Sequence, residues 1–152
     1  IIKKVMRRKI LLSILLVLIV IQFFHPSKNQ STELLSTDIT KVHNVPETVM
    51  TILKTSCYDC HSNNTVYPWY NNIQPVAWWL NNHVKEGKEH LNFSDFGSYP
   101  EKKAKHKLQE VKEVIEENEM PLTSYTIIHR DAQLNDTQKK QVIDWVNSTG
   151  VK

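Results

Sequence analysis

The sequence predicts an all-α domain that follows an apolar N-terminal segment. After residue 45, apolar residues recur at spacings of three and four, which is the period of an amphipathic helix. No stretch gives a convincing strand pattern, and prolines and a late glycine stand where helices should begin and end. With 152 residues, of which 40% are hydrophobic and 23% charged, the chain has the size and composition of one globular domain plus a tail or anchor.

The first 26 residues join a basic head to an apolar run. Five of the first nine residues are Lys or Arg, and only Ser13 and Gln22 are polar within residues 10–24. This arrangement is typical of a secretory signal or a signal-anchor. No small-residue cleavage site follows, so we predict an uncleaved transmembrane signal-anchor helix over residues 1–26, with a removed signal peptide as the alternative. The rest of the chain would then be anchored to the inner membrane and face the periplasm.

Charge and composition exclude several classes of function. The five basic residues of the head account for the net charge of +3, because without them acidic residues outnumber basic ones. No basic face remains for a phosphate backbone, and we expect no nucleic-acid partner. The sequence also shows no nucleophile–base constellation, so we predict no catalytic residues.

Residues 27–44 are predicted to form a polar tether, and residues 45–152 a single helical domain. The first helix of the domain begins at Pro46 and leads directly into Cys57. A second begins at Pro75 and continues to about Val84, after which residues 86–100 are expected to be irregular.

The third predicted helix runs from about Glu101 to Asn118 and must stop at Met120, because Pro121 disfavours helical geometry in the residue before it. A last helix is capped by Asn135 or Asp136 and ends before Gly150. The positions predicted to face inward in the first, third and last helices are Val49, Ile52, Leu53, Ser56, Ala104, Leu108, Val111, Ile115, Val142, Trp145 and Val146.

Both cysteines of the chain stand in the sequence Cys57-Tyr58-Asp59-Cys60-His61. C-x-x-C-H is the attachment signature of c-type haem. Two thiols three residues apart lie on the same side of a helical turn, and the following histidine can take an axial position on iron. A disulfide, a metal site and chance are the alternatives. A zinc site needs about four ligands, and a thioredoxin-type pair should follow a strand.

The second axial ligand is predicted to be Met120, which ends an amphipathic helix, precedes Pro121 and lies far enough after His61 for the chain to wrap around a haem. The alternatives are a histidine, of which His83 and His129 have apolar neighbours, or an open position.

Other residues are predicted to complete the surroundings of the haem. Trp69 and Trp79 should contact the ring. The second N–H of His61 should donate to the carbonyl of Pro68 or Pro75, unless the prolines only shape their loop.

Taken together, these motifs resemble the small haem-binding domain family of bacterial c-type cytochromes. The resemblance rests on CYDCH, YPWYNNIQPVAWWL, HLNFS, EMPLTSY and a final QKKQVIDW, in this order across roughly residues 45–151. It implies a cytochrome c-like all-α fold around one covalent haem c. Cys57 and Cys60 would be the thioether residues, His61 the proximal iron ligand and Met120 the distal one.

The function expected from the motifs and the resemblance is that of a membrane-anchored periplasmic monohaem cytochrome. It would carry electrons by outer-sphere transfer to redox partner proteins. The alternatives are a haem-based sensor or small peroxidase with an open or displaceable sixth position, and a non-catalytic haem module that assists a membrane complex.

Overall fold

The computed structural model describes residues 2–31 and 33–150, which are mainly helical. Its α-helices are α1 (Ile2–Ile21), α2 (Ile39–Val42), α3 (Glu47–Ser56), α4 (Tyr58–His61), α5 (Val76–His90), α6 (Glu101–Glu116), α7 (Thr123–Thr126) and α8 (Asp136–Ser148). Short 3-10 helices occupy Trp69–Asn72, Phe93–Ser98 and Arg130–Ala132. Within the described residues, β-pairing is limited to an isolated bridge between Gln30 and Asn64. The predicted all-α class is confirmed.

The chain divides into two compact units. The first takes in the chain up to Lys28 together with Tyr67–His83, and the second takes in Asn29–Val66 and the chain from Val84 onward. The C-x-x-C-H motif, Met120 and the helices α3, α4, α6, α7 and α8 all belong to the second unit.

Helix α1 carries the basic head and most of the apolar run. Among residues 2–31 and 33–150, no helix is both long and apolar enough to cross a membrane. The prediction of a transmembrane signal-anchor helix is therefore not supported. The physical reason is length: after the basic head the apolar part of α1, interrupted only by Ser13, covers residues 10–21, which gives roughly 18 Å of helix against a hydrocarbon core of roughly 30 Å.

The first unit is held together by hydrogen bonds that involve Gln22, one of the two polar residues in the apolar run. The Gln22 side chain donates to the carbonyl of Gln74 (3.1 Å) and accepts from its backbone N–H (2.9 Å). The carbonyl of Phe24 accepts from the side chains of Gln74 (2.7 Å) and Trp78 (2.9 Å). Gln22 thus connects the end of the apolar run to Gln74 by two hydrogen bonds within this unit.

The second unit contains the main hydrophobic core. Buried side chains from α3, α6 and α8 meet there, together with Ile39 of α2, Leu91, and Phe93 and Phe96 of the second 3-10 helix. The inward positions predicted for α3, α6 and α8 are buried, with Ala104 half-buried at the edge of the core. Ile39, an apolar residue of the predicted tether, is fully buried.

Two helix ends differ from the prediction. Helix α5 continues to His90, because its second half consists largely of Lys, Glu and other residues that tolerate a helix without an apolar period. Helix α6 ends at Glu116, before Pro121 can act, because Asn118 takes the left-handed conformation (φ 60°). The N–H groups of Asn118 and Glu119 donate to the carbonyls of Ile115 and Val114, as in a Schellman motif.

The last helix has the predicted cap. The Asn135 side chain accepts from the backbone N–H of Gln138 (2.9 Å), and the Gln138 side chain accepts from the backbone N–H of Asn135 (3.0 Å). This capping box fixes the start of α8, whose residues Val142, Trp145 and Val146 are buried in the core.

Candidate functional site

The C-x-x-C-H motif forms a single helical turn at the end of α3. Cys57 has φ −128° and ψ −38°, so it closes α3 and begins α4 with a change of direction. Its carbonyl accepts from the N–H groups of Cys60 (3.2 Å) and His61 (2.9 Å). Since α3 buries Val49, Ile52, Leu53 and Ser56 in the core, the turn is fixed at its N-terminal side. The predicted one-turn geometry of the motif is therefore present.

Both thiols of the motif are free and half-buried. Burial, together with the charge of the neighbouring cysteine, raises the pKa of Cys57 to about 12. Burial and the nearby Asp59 raise the pKa of Cys60 to about 11. Both side chains are then neutral thiols at neutral pH, which is opposite to the lowered pKa of a reactive redox cysteine.

The imidazole of His61 is oriented by a backbone carbonyl. Its Nδ1 lies 3.1 Å from the carbonyl oxygen of Leu91, and because a carbonyl oxygen only accepts, Nδ1 carries the proton. Burial lowers the pKa of His61, so the ring is neutral and Nε2 keeps its lone pair. A neutral histidine with a fixed tautomer is the usual form of a metal ligand.

The predicted acceptor for His61, the carbonyl of Pro68 or Pro75, is wrong. The acceptor is Leu91, the residue that follows α5. The sequence prediction ended this helix near Val84, and so it did not bring Leu91 back to the motif.

Gly87 explains how α5 comes so close to the motif. A Cβ atom at this position would lie 2.6 Å from the Cys60 carbonyl oxygen and 3.0 Å from the Cys60 Cβ. Only glycine permits this approach without a shift of one backbone against the other. The Gly87 carbonyl accepts from the N–H of Leu91 (2.9 Å), so the same helical turn that contacts Cys60 positions the acceptor for His61.

Aromatic side chains support the motif from the core side. Tyr58 stacks on Phe93, with ring centroids 5.4 Å apart and planes 9° apart. Phe93 is fully buried and also meets the His61 ring edge-on at 6.5 Å. The Tyr58 hydroxyl donates to the sulfur of Met50 at 3.8 Å. These contacts lock the motif against the core that α3 helps to form.

Asp59, the third residue of the motif, connects it to two other segments. Its Oδ2 accepts from the Tyr125 hydroxyl (2.7 Å) and its Oδ1 from the backbone N–H of Val66 (2.8 Å). The motif pattern alone assigns no role to Asp59. The presence of Tyr in the EMPLTSY motif was the available signal.

Met120 is half-buried and follows the Schellman motif at the end of α6. Its N–H donates to the carbonyl of Val114 (3.1 Å). The chain then turns through Pro121 into α7, where Tyr125 reaches Asp59. The segment that follows Met120 thus contacts the motif through Tyr125. Ligation of iron by Met120 stays a prediction.

Trp69 and Trp79 lie in the first unit, and their side chains are 75% and 49% exposed. Trp79 packs on the His83 ring with a centroid distance of 4.3 Å. The predicted contact of Trp69 and Trp79 with a haem stays a prediction. The other histidine candidate, His129, stacks on the Tyr125 ring at 4.3 Å.

The residues around the motif fit a haem better than a bare metal ion. In the part of the chain that the structure describes, no three His, Cys, Asp or Glu side chains come together to hold a metal ion. One oriented imidazole beside two neutral thiols on one turn is instead the donor set that covalent haem attachment requires.

Comparison with known proteins agrees with this chemistry. A family model described as a haem-binding domain matches residues 16–148, which include the C-x-x-C-H motif, Met120 and all of α8. No curated protein and no solved structure matches the chain.

Proposed function

Because this chain belongs to the haem-binding domain family, we propose that the haem it binds is haem c, attached covalently to Cys57 and Cys60 with His61 as the proximal ligand. The observation that carries the proposal is the hydrogen bond from His61 Nδ1 to the Leu91 carbonyl (3.1 Å). It fixes the tautomer in which Nε2 is free to bind iron.

The two thiols would form the covalent attachment. Each Sγ would bond to one carbon of a haem vinyl group, while its proton passes to the adjacent carbon, so that no oxidant or reductant is consumed. Cys60 lies in the one-turn helix α4 and Cys57 is its N-cap, so thiols at this spacing would lie on one side of the turn. The ring of Tyr58, which stacks on Phe93, supports the turn.

Met120 is proposed as the distal ligand. Its support is the return of the following segment to the motif through Tyr125 and Asp59 (2.7 Å). When bound, the haem supplies one-electron transfer between the ferric and ferrous states. Ligation by His and Met raises the reduction potential and leaves no position open for a substrate. The protein would then act as an outer-sphere electron carrier for redox partner proteins.

We further propose that the haem domain is exported and held at the inner membrane, facing the periplasm. Covalent haem attachment takes place outside the cytoplasm, and the chain begins with a basic head and an apolar run. Fractionation of cells that express the full chain tests this: it should be recovered from the periplasmic side of the membrane fraction, and recovery in the cytoplasm would contradict the localisation.

The electron-carrier function is tested by absorption spectra of the haem-loaded protein. The ferric form should show a Met–iron charge-transfer band, and the ferrous form should not bind carbon monoxide. Met120→Ala should remove the band and permit carbon monoxide binding. Met50→Ala is the matched control, since it removes another half-buried methionine of the same unit, and it should leave both properties unchanged.

Two results would contradict the proposed electron-carrier function or its distal ligand. Rapid carbon monoxide binding by the unaltered ferrous protein would favour a sensor or peroxidase with an open sixth position. A spectrum that Met120→Ala does not change would exclude Met120 as the ligand.

A further inference from the structure

The side chain of Asp59 occupies an unusual place for a residue inside a C-x-x-C-H motif. It lies between the two cysteines in the sequence, it is half-buried, and both of its carboxylate oxygens have donors. Its own carbonyl also accepts, from the Thr65 hydroxyl (2.6 Å). One residue of the haem-attachment turn therefore binds two distant segments, the loop at residues 65–66 and helix α7.

The contact with α7 is a hydrogen bond between two side chains. The Tyr125 hydroxyl donates to Oδ2 at 2.7 Å, the short distance expected when the acceptor is a carboxylate. Burial, followed by the hydrogen bond and charge of Asp59, raises the pKa of Tyr125 well above its usual value, so the hydroxyl keeps its proton and remains a donor.

Tyr125 is itself rigidly connected to the segment that carries Met120. Its backbone N–H donates to the carbonyl of Leu122 (2.9 Å), two residues after Met120. On the other side, its ring stacks on His129 with planes 15° apart. The hydrogen bond of the Tyr125 hydroxyl therefore also restrains Leu122 and the turn before it.

Met120 is held from both directions along the chain. Before it, the Schellman motif ties the turn to α6, and the Met120 N–H itself donates to the Val114 carbonyl (3.1 Å). After it, α7 ties the chain to the attachment turn through Tyr125 and Asp59. The first attachment belongs to the helix end, whereas the second connects the methionine segment directly to the motif.

We propose that Asp59 and Tyr125 are positioning residues that hold the Met120 segment against the haem-attachment turn and thereby keep the methionine on iron. This inference rests on the proposed distal role of Met120. A flexible thioether is a weak ligand that leaves iron readily unless its segment is fixed. Loss of the hydrogen bond between Tyr125 and Asp59 should therefore expose the sixth iron position to external ligands.

The test measures carbon monoxide affinity of the ferrous, haem-loaded protein together with the Met–iron band of the ferric form. Tyr125→Phe removes only the hydroxyl. Asp59→Asn keeps the shape, but it removes the charge and leaves one acceptor oxygen for two donors, Tyr125 and Val66. Loss of a hydrogen bond to a charged group in Tyr125→Phe should increase carbon monoxide affinity by about tenfold or more and weaken the band, and Asp59→Asn should change both in the same direction by a smaller factor.

Thr37→Val is the matched control. It removes a hydroxyl of the same unit that also donates to a carboxylate, that of Asp95 (2.8 Å), and neither residue belongs to the motif or to the segment after Met120. It should leave carbon monoxide affinity and the band unchanged. Urea unfolding of each apoprotein, measured in parallel, separates a general loss of stability from release of the methionine.

The outcomes distinguish this inference from the function on which it rests. If Met120→Ala opens the sixth position while Tyr125→Phe and Asp59→Asn behave like the unaltered protein, the positioning role is overturned and the carrier function stands. If Met120→Ala changes nothing, the distal assignment fails and the positioning role fails with it. An equal increase in affinity in Thr37→Val would also overturn the inference, because the effect would then be unspecific.

Discussion

Replacing Gly87 by alanine tests whether the close approach of α5 to the motif orients His61. The new Cβ would lie 2.6 Å from the carbonyl oxygen of Cys60, whereas an ordinary contact begins at 3.4 Å. The backbone of α5 or of the motif must therefore move by about 0.8 Å, the difference between these two distances. Because the obstacle is backbone rather than the end of a flexible side chain, a rotamer change cannot relieve it.

The expected magnitude follows from this displacement. Overpacking costs about 1–3 kcal/mol, and the better helix propensity of alanine returns about 0.5–1 kcal/mol. The free energy of unfolding should therefore fall by about 1 kcal/mol, the difference between the midpoints of the two ranges, and by at most about 2.5 kcal/mol. The same movement would lengthen the 3.1 Å bond between His61 and Leu91 to as much as about 3.9 Å, which is no longer a hydrogen bond. The imidazole would become less basic, and the reduction potential should rise.

Urea unfolding and a redox titration of the haem-loaded Gly87→Ala protein measure the two effects. Gly97→Ala is the matched control, because its Cβ would lie 2.9 Å from a Val42 methyl and 3.1 Å from the Thr37 carbonyl, away from the motif. It should lower stability but leave the potential unchanged. A Gly87→Ala protein with unaltered stability and potential would refute the reasoning.

Three further predictions concern the turn after α6, the histidines and the cysteines. Asn118→Ala should lower the free energy of unfolding by about 1–2 kcal/mol, because alanine is strained at φ 60°; urea unfolding checks it, and unchanged stability would contradict it. Stability of the apoprotein should fall as the pH drops below 6.5, because burial lowers the pKa of His43 and His61 and the unfolded chain then binds protons that the folded chain does not. Urea titrations at about pH 7.5 and about pH 5.5 measure this, and a stability that rises toward acid pH would show the sign to be wrong. Cys57→Ser/Cys60→Ser should lower the thermal stability of the protein expressed with haem. Equal melting temperatures of the double variant and the unaltered protein would count against a role of the haem in the stability of the domain.

The helices that could be predicted from the sequence are those with local signals. Apolar residues at helical spacing identified α3, α6 and α8, and Pro46 and Asn135 marked the starts of two of them. The burial of Val142 and Trp145 in the core agrees with this period. Such patterns are readable because they depend on neighbours within one or two turns.

The errors arose where the structure depends on distant residues or on weak local signals. Helix α5 continues through charged residues that carry no apolar period, and α6 ends at a left-handed Asn118 rather than at Pro121. Gln22 interrupts an apolar run, and its role could not be predicted because its hydrogen-bond partner Gln74 lies 52 residues away in the sequence. No spacing rule connects two such positions.

The site divides in the same way. The turn from Cys57 to His61 follows from local spacing, and the structure forms it as predicted. The contacts that hold this turn could not be predicted from local spacing, because Leu91 and Tyr125 are distant in sequence and meet the motif only in the folded chain. Gly87 gave no signal either, because it lies in residues 86–100, which were predicted to be irregular, and a glycine in an irregular segment does not indicate a close approach of two backbones.

The central claim of covalent attachment is tested most directly by the intact mass of the full chain, expressed with a haem-attachment system and measured after denaturation. If the haem is covalently attached, the mass exceeds that of the polypeptide by one haem, and Cys57→Ser/Cys60→Ser shows no such increase. A denatured chain that releases its haem and retains both free thiols would contradict it.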